Sequence, residues 1–250
     1  MDERELLLGL PYDPLTMREV VNRVARILER AGPPAQHTAL NAAKVVHAQG
    51  DPILRSSIAM SDLVTLDGQP VVWAARLLGR RAPERVAGID LMWELLRQAD
   101  ERRLRVYFLG ATGDVVARVI QRVGRELPGV IVAGARDGYF EEADAQVVAA
   151  QVAEAQADIL FVGMPTPRKE EFIQRHLPEL GVRFAMGVGG SFDVIAGLTR
   201  RAPRWLQRAG LEWAYRLAQE PRRLFKRYAL TNVRFVALVA GELARRLHAG

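Results

Sequence analysis

Cysteine is absent from the 250 residues, which excludes a disulfide framework, thiolate metal sites and a cysteine nucleophile, and is compatible with a reducing compartment. Histidine is scarce: His37, His47, His176 and His248 lie scattered without metal-ligand spacing, so no zinc site is expected. Long apolar runs are missing as well. The longest, near Phe235 to Gly241, is short and follows Arg234, far from the roughly 18 residues that cross a bilayer. The acidic start, with Asp2, Glu3 and Glu5, carries no basic stretch followed by an apolar run, so no signal peptide is expected. Neither a Walker A loop nor a G-x-S-x-G elbow occurs, and internal repeats and low-complexity tracts are lacking.

What is present is a hydrophobic content of 49%, enough in a chain of this length for a substantial core. The net charge of +6 is unevenly spread: residues 200–250 carry +9, whereas residues 1–199 carry −3. A localised positive surface attracts anionic partners such as lipid headgroups, a pyrophosphate or nucleic acid.

Apolar runs of strand length alternate with helical stretches. Strands are expected at His37–Leu40, Leu63–Leu66, Arg105–Leu109, Val130–Ala133, Ile159–Gly163 and Arg183–Val188. Helices are expected at Asp13–Glu29, Ala42–Gln49, Gly88–Gln98, Asp114–Glu126, Glu142–Ala155 and Arg168–His176. This rhythm predicts an α/β fold with a mostly parallel sheet covered by helices on both faces. Ligands of such sheets sit beyond the carboxyl ends of the strands, where Asn41, Asp67, Gly110 and Gly187 to Gly190 fall. The tail changes character. A helix starting at Pro221 would place Arg223, Arg227 and Arg234 on one face, with Leu224, Phe225, Tyr228, Phe235, Val236, Val239 and Leu243 opposite. The expected division is therefore a core over 1–199 and a basic helical appendage over 200–250.

Several residues carry chemistry. Asp67, followed by Gly68 at a strand end, can take a hydroxyl proton, coordinate a metal or cap the next turn. The turns at Gly110 and at Gly187 to Gly190 can bring backbone N–H groups to phosphate, though tight α/β turns need glycine in any case. Asp193 can hold a ligand hydroxyl or cap a helix. Arg85, in an apolar neighbourhood, needs an anion, either a structural carboxylate or a ligand phosphate. Arg168 and Lys169, behind the stiff Pro165 to Pro167 loop, are either ligand-edge cations or a solvated charge run.

In order, the segments Leu40 to Ala42, Asp62 to Trp73, Arg85 to Asp90, Phe108 to Ala111, Asp137 to Phe140, Pro167 to Glu170, Gly187 to Asp193, Arg201 to Pro203, Leu211 to Arg216 and Glu220 to Arg223 resemble the WecG/TagA/CpsF family of glycosyltransferases. The resemblance spans about Tyr12 to Tyr228. It implies a Rossmann-like core that adds a sugar from a UDP-sugar, with inversion, to an undecaprenyl-diphosphate-linked acceptor in teichoic acid, capsule or exopolysaccharide synthesis. Asp67 then matches the proposed base. Asn41, Arg85, Gly110, Lys169, Gly189, Gly190 and Asp193 would serve the donor, and Arg216, Arg223 and Arg227 the diphosphate. No cofactor and no essential metal are implied. The basic amphipathic tail would dock on an anionic membrane at its inner, cytoplasmic face, and a homo-oligomer is compatible with all of this. Two positions depart from the family pattern: Ala39 stands where threonine is usual, and Lys169 replaces glutamine. The donor sugar therefore need not be N-acetylmannosamine; glucose, a uronic acid or another N-acetylhexosamine fits.

Two other classes compete. A dinucleotide-dependent oxidoreductase lacks a complete glycine fingerprint with its ribose-binding acid. A nucleic-acid-binding module would use the arginines but leaves Asp67 and the glycine turns without a task.

Overall fold

The computed structural model describes residues 3–219 and 221–249, and their side chains except those of 204, 208, 216, 222–229 and 249. The chain opens with a two-stranded antiparallel hairpin, β1 (Glu5–Leu7) and β2 (Leu10–Tyr12). Its turn residues, Leu8 and Gly9, both have positive φ, as a two-residue primed turn requires. Helix α1 (Met17–Glu29) starts later than the expected Asp13, because Thr16 and Glu19 form a capping box. Asp13 instead turns inward, where its carboxylate accepts the Val64 N–H at 2.8 Å and pairs with Arg23 at 2.9 Å.

Next come β3 (Ala35–Leu40), α2 (Ala42–Ala48), α3 (Pro52–Met60), β4 (Leu63–Leu66), α4 (Gln69–Leu77), α5 (Gly88–Arg102), β5 (Arg105–Gly110), α6 (Gly113–Glu126), β6 (Ile131–Arg136), α7 (Ala145–Glu154), β7 (Ile159–Gly163), α8 (Arg168–His176), β8 (Phe184–Gly187) and α9 (Ser191–Ile195). Strands β3 to β8 form one parallel sheet in the order β4-β3-β8-β7-β5-β6. Both faces of this sheet are covered, so its strands are nearly continuously apolar. Phe108, Phe161, Phe184 and Phe192 fill one face and Leu109, Leu160, Val162 and Phe172 the other. Two polar side chains of β3 are paired internally: His37 Nε2 lies 2.9 Å from Thr65 Oγ1, and the Ser61 hydroxyl donates to Thr38 Oγ1 at 2.9 Å. Burial, with Lys44 nearby, drives the His37 imidazole down to about 3, so it is neutral at any ordinary pH.

The tail comprises α10 (Arg204–Arg208), α11 (Glu212–Gln219) and α12 (Pro221–Ala249). Helix α12 begins at Pro221 as expected; the side chains of Leu224, Phe225 and Tyr228 lie outside the described residues, and of those described on the apolar face most meet protein. Phe235 and Val239 are buried in the cluster that also holds Leu10, Leu40, Val45 and Val71, where α12 meets α2, and Leu243 packs against it. Fully burying such a side chain stabilises by about 1.5–3 kcal/mol, so this half of the helix is seated on the body. Leu230, Val233 and Val236 remain exposed. Among the described residues no helix is long and apolar enough to cross a membrane.

Candidate active site

The carboxyl ends of β3, β4, β5 and β8 deliver Asn41, Asp67, Gly110 and the Gly187–Gly190 turn to one edge of the sheet. Asn41 caps α2: its Oδ1 accepts the Lys44 N–H at 2.9 Å, which leaves its amide nitrogen without a protein partner among the described residues. Asp67 stands half-buried, its own N–H bonded to the Leu40 carbonyl at 2.8 Å. The Gly88 N–H bonds its carboxylate, and a Cβ added at Gly88 would lie 3.5 Å from Asp67 Oδ2 and 3.8 Å from Ala39 Cβ. The departure at Ala39 is therefore next to the carboxylate. Burial raises the Asp67 pKa above the ordinary aspartate range; Arg85 opposes that, Glu212 adds to it, and the Gly88 N–H and Lys44 pull it down.

Arg85 takes the structural carboxylate in this arrangement. Its guanidinium pairs with Glu212 Oε2 at 2.8 Å and donates to Gln207 Oε1 at 3.3 Å. Arg201 forks onto Asp90, one bond at 2.6 Å, and approaches Glu212 at 3.8 Å. Asp67, Arg85, Glu212, Arg201 and Asp90 thus alternate in sign from the sheet edge to the tail. At the α10–α11 turn, Gly210 has φ +69° and sits so close to α4 that a Cβ would come within 2.8 Å of the Trp73 ring. The tail therefore lies on the helix that follows Asp67.

The glycines separate. Gly110 has φ +133°, and a Cβ there would lie 2.5 Å from the Gly163 backbone, so close approach of β5 and β7 alone demands it. At Gly189, φ +50°, open space surrounds the Cβ position. Asp193 does not cap α9; its carboxylate has no protein partner among the described residues and lies 3.8 Å from the Cβ position of Gly190.

Lys169 is no solvated charge. It is buried, with Nζ 2.9 Å from Glu170 Oε1 and hydrogen-bonded to Thr166 Oγ1, and its stem covers Gly187. Lys44 shares the same Glu170 oxygen at 2.9 Å and donates to the Ala39 carbonyl at 2.6 Å. Burial pushes the Glu170 carboxyl up, but the two ammonium groups outweigh it and hold it below the usual range. Sequence reasoning missed Lys44, Glu170, Gln207 and Glu212. A lysine inside the apolar run Ala42 to Val46 was the one available signal for the buried cluster. The side chains of Arg216, Arg223 and Arg227 lie outside the described residues. Among those described, no three His, Asp or Glu side chains converge as a metal site.

A doubly covered parallel sheet with a carboxylate, an arginine and glycine turns at its carboxyl edge is the frame of an α/β enzyme with a ligand site at that edge. The chain belongs to the family described as Glycosyl transferase WecG/TagA/CpsF, whose profile matches residues 5–249, and it is a glycosyltransferase. It is 39% identical over 176 residues to an N-acetylglucosaminyldiphosphoundecaprenol N-acetyl-beta-D-mannosaminyltransferase of Bacillus spizizenii, covering 70% of this chain and 68% of the relative. To the protein of the same description from Bacillus subtilis it is 37% identical over 179 residues, covering 70% and 69%.

Proposed function

We propose that the chain transfers a sugar, with inversion, from a UDP-sugar to a sugar carried on undecaprenyl diphosphate, at the inner face of the cell membrane in the synthesis of a cell-surface polymer. The observation that carries this reading is Asp67: a carboxylate at the mouth of the sheet, made more basic by burial, beside Arg85 and at the same sheet edge as the Gly187–Gly190 turn. Asp67 takes the proton of the acceptor hydroxyl as that oxygen attacks the anomeric carbon of the donor. The nucleoside diphosphate leaves from the opposite face, which inverts the centre, and its charge is met by arginines and backbone N–H groups without a metal. Asn41, with its spare amide nitrogen, Asp193, with its spare carboxylate, and Gly189–Gly190 suit the donor; Arg216, Arg223 and Arg227 are assigned to the departing diphosphate of the donor. Lys169 acts from below, tied to Glu170, and with Ala39 it alters the donor pocket from the family pattern.

Membrane attachment is supported by the net +9 of residues 200–250 together with the exposed Trp205, Leu230, Val233 and Val236. Liposomes containing anionic lipid should retain the protein and lose it at high salt. The chemical reading is tested by Asp67→Asn, which should lower transfer by about a thousandfold while UDP binding persists; near-native turnover would remove the base assignment. A thermal-shift panel of UDP-sugars should single out the donor, since a ligand of the folded form raises Tm.

A further inference from the structure

Two adjoining cavities, of about 300 and 540 Å³, run along α6 past the N-terminal part of α5 to the residues after α9. They share Arg122 and Gly197 and form one groove. Its larger end begins at Ile89, the neighbour of the glycine that bonds the Asp67 carboxylate, and includes Arg201 of the alternating charge chain. None of the residues assigned to the donor lines it.

The groove is cationic beyond its internal pairing. Five arginines line it: Arg118, Arg122, Arg125, Arg200 and Arg201. Glu126 pairs with Arg122 and Arg125, and Asp90 with Arg201. The side chains of Arg118 and Arg200 have no carboxylate partner among the described residues, and both are exposed. Two unpaired guanidinium groups facing a concave surface favour an anion with several oxygens. Apart from Gln121 and Thr199, the rest of the lining is apolar or aromatic. Trp93 lies under the Arg122 guanidinium, 5.3 Å from ring centroid to Cζ, and Ile89, Val194 and Tyr215 continue the wall. Beside Gly197, Leu198 is 57% exposed, so the apolar surface runs on to the outside. An aliphatic chain attached to a diphosphate matches this sequence of surfaces, whereas a nucleotide offers no aliphatic part.

We propose that this groove holds the diphosphate and first isoprene units of the lipid-linked acceptor, with phosphate oxygens on Arg118 and Arg200 and the chain along Trp93 and Tyr215 toward Leu198. The inference rests on the acceptor class proposed above and supplies its seat. A sugar linked to that diphosphate projects past Ile89 toward Asp67, so the groove orients the attacking hydroxyl as well as binding the carrier.

The test uses the full chain, native and with Arg118→Ala/Arg200→Ala, two exposed positions whose replacement leaves the core untouched. Calorimetry with farnesyl diphosphate, inorganic pyrophosphate and UDP reads binding without any need for turnover. The native chain should bind farnesyl diphosphate more tightly than pyrophosphate, and the double variant should weaken farnesyl diphosphate by about tenfold or more with UDP unchanged. In steady-state transfer, the KM for lipid-linked acceptor should rise and that for UDP-sugar should hold. Equal farnesyl diphosphate affinity in the two proteins, a loss of UDP binding in the variant, or no preference for farnesyl diphosphate over pyrophosphate would each overturn the proposal. If the native chain transfers no sugar and the binding pattern is as expected, the prenyl diphosphate site stands and the transferase chemistry falls; transfer with an unchanged acceptor KM in the variant does the reverse.

Discussion

Two charge clusters flank the sheet edge, and they are built on opposite plans. Lys44, Glu170 and Lys169 are sealed, and the Ser57 hydroxyl donates to the Glu170 carbonyl at 3.1 Å, tying α3 to the same helix. Asp67, Arg85, Glu212, Arg201 and Asp90 are each partly exposed. A sealed cluster spends its interactions on holding α2 and α8 together, because buried ions must satisfy one another. A half-open one can exchange protein partners for a ligand. A strongly bound charge at a ligand edge therefore need not be a ligand group: Lys169 stands at the right edge and is still occupied by its neighbours.

The largest effect is expected from Glu170→Gln, which leaves two ammonium groups facing a neutral amide. Loss of about 3–5 kcal/mol in urea unfolding is expected, as for removal of one partner of a buried pair. Phe235→Ala should cost about 3 kcal/mol by the same measurement, whereas Val236→Ala, one residue along but exposed, should stay within about 0.5 kcal/mol; similar costs would mean that α12 does not dock as described. The open cluster answers to pH instead. Because the folded Asp67 pKa is raised above its unfolded value, ionised Asp67 costs stability above the folded pKa, and that cost is gone below the unfolded pKa. Asp67→Asn should therefore raise Tm at neutral pH, and the gain should shrink as pH falls toward about 3.9. The smallest effect expected is from Glu212→Gln. Glu212 raises the Asp67 pKa, so its neutralisation should move the acid limb of kcat/KM to lower pH; a limb moving upward would show that Arg85, freed from Glu212, does not strengthen its hold on Asp67.

The central sheet was readable because strands such as Ile159–Gly163 are apolar on both faces and helices such as Asp114–Glu126 keep a clear period. The hairpin was not, since three-residue strands carry no period. Helix α3 hid behind Asp51 and Pro52, which cap and start it but read equally as a turn. Asn41, Asp67 and Gly189 were legible as ends of apolar runs. Their surroundings were not: Lys44 finds Glu170, and Arg85 finds Glu212, across long stretches of chain, and no local pattern encodes such pairings. The amphipathic face of α12 was visible, but what it faces was not. A side chain that suits lipid suits Leu40 and Val45 equally well.

The seat of Phe235 and Val239 bears on how the tail can be studied. A protein cut after Gly210 would lose a plug from its own wall along with the arginines, baring the α2 side of that cluster, Val45 included, to water. Clumping of such a fragment would report the opened wall, so the tail's business with lipid has to be probed by changing single outward side chains in an intact chain.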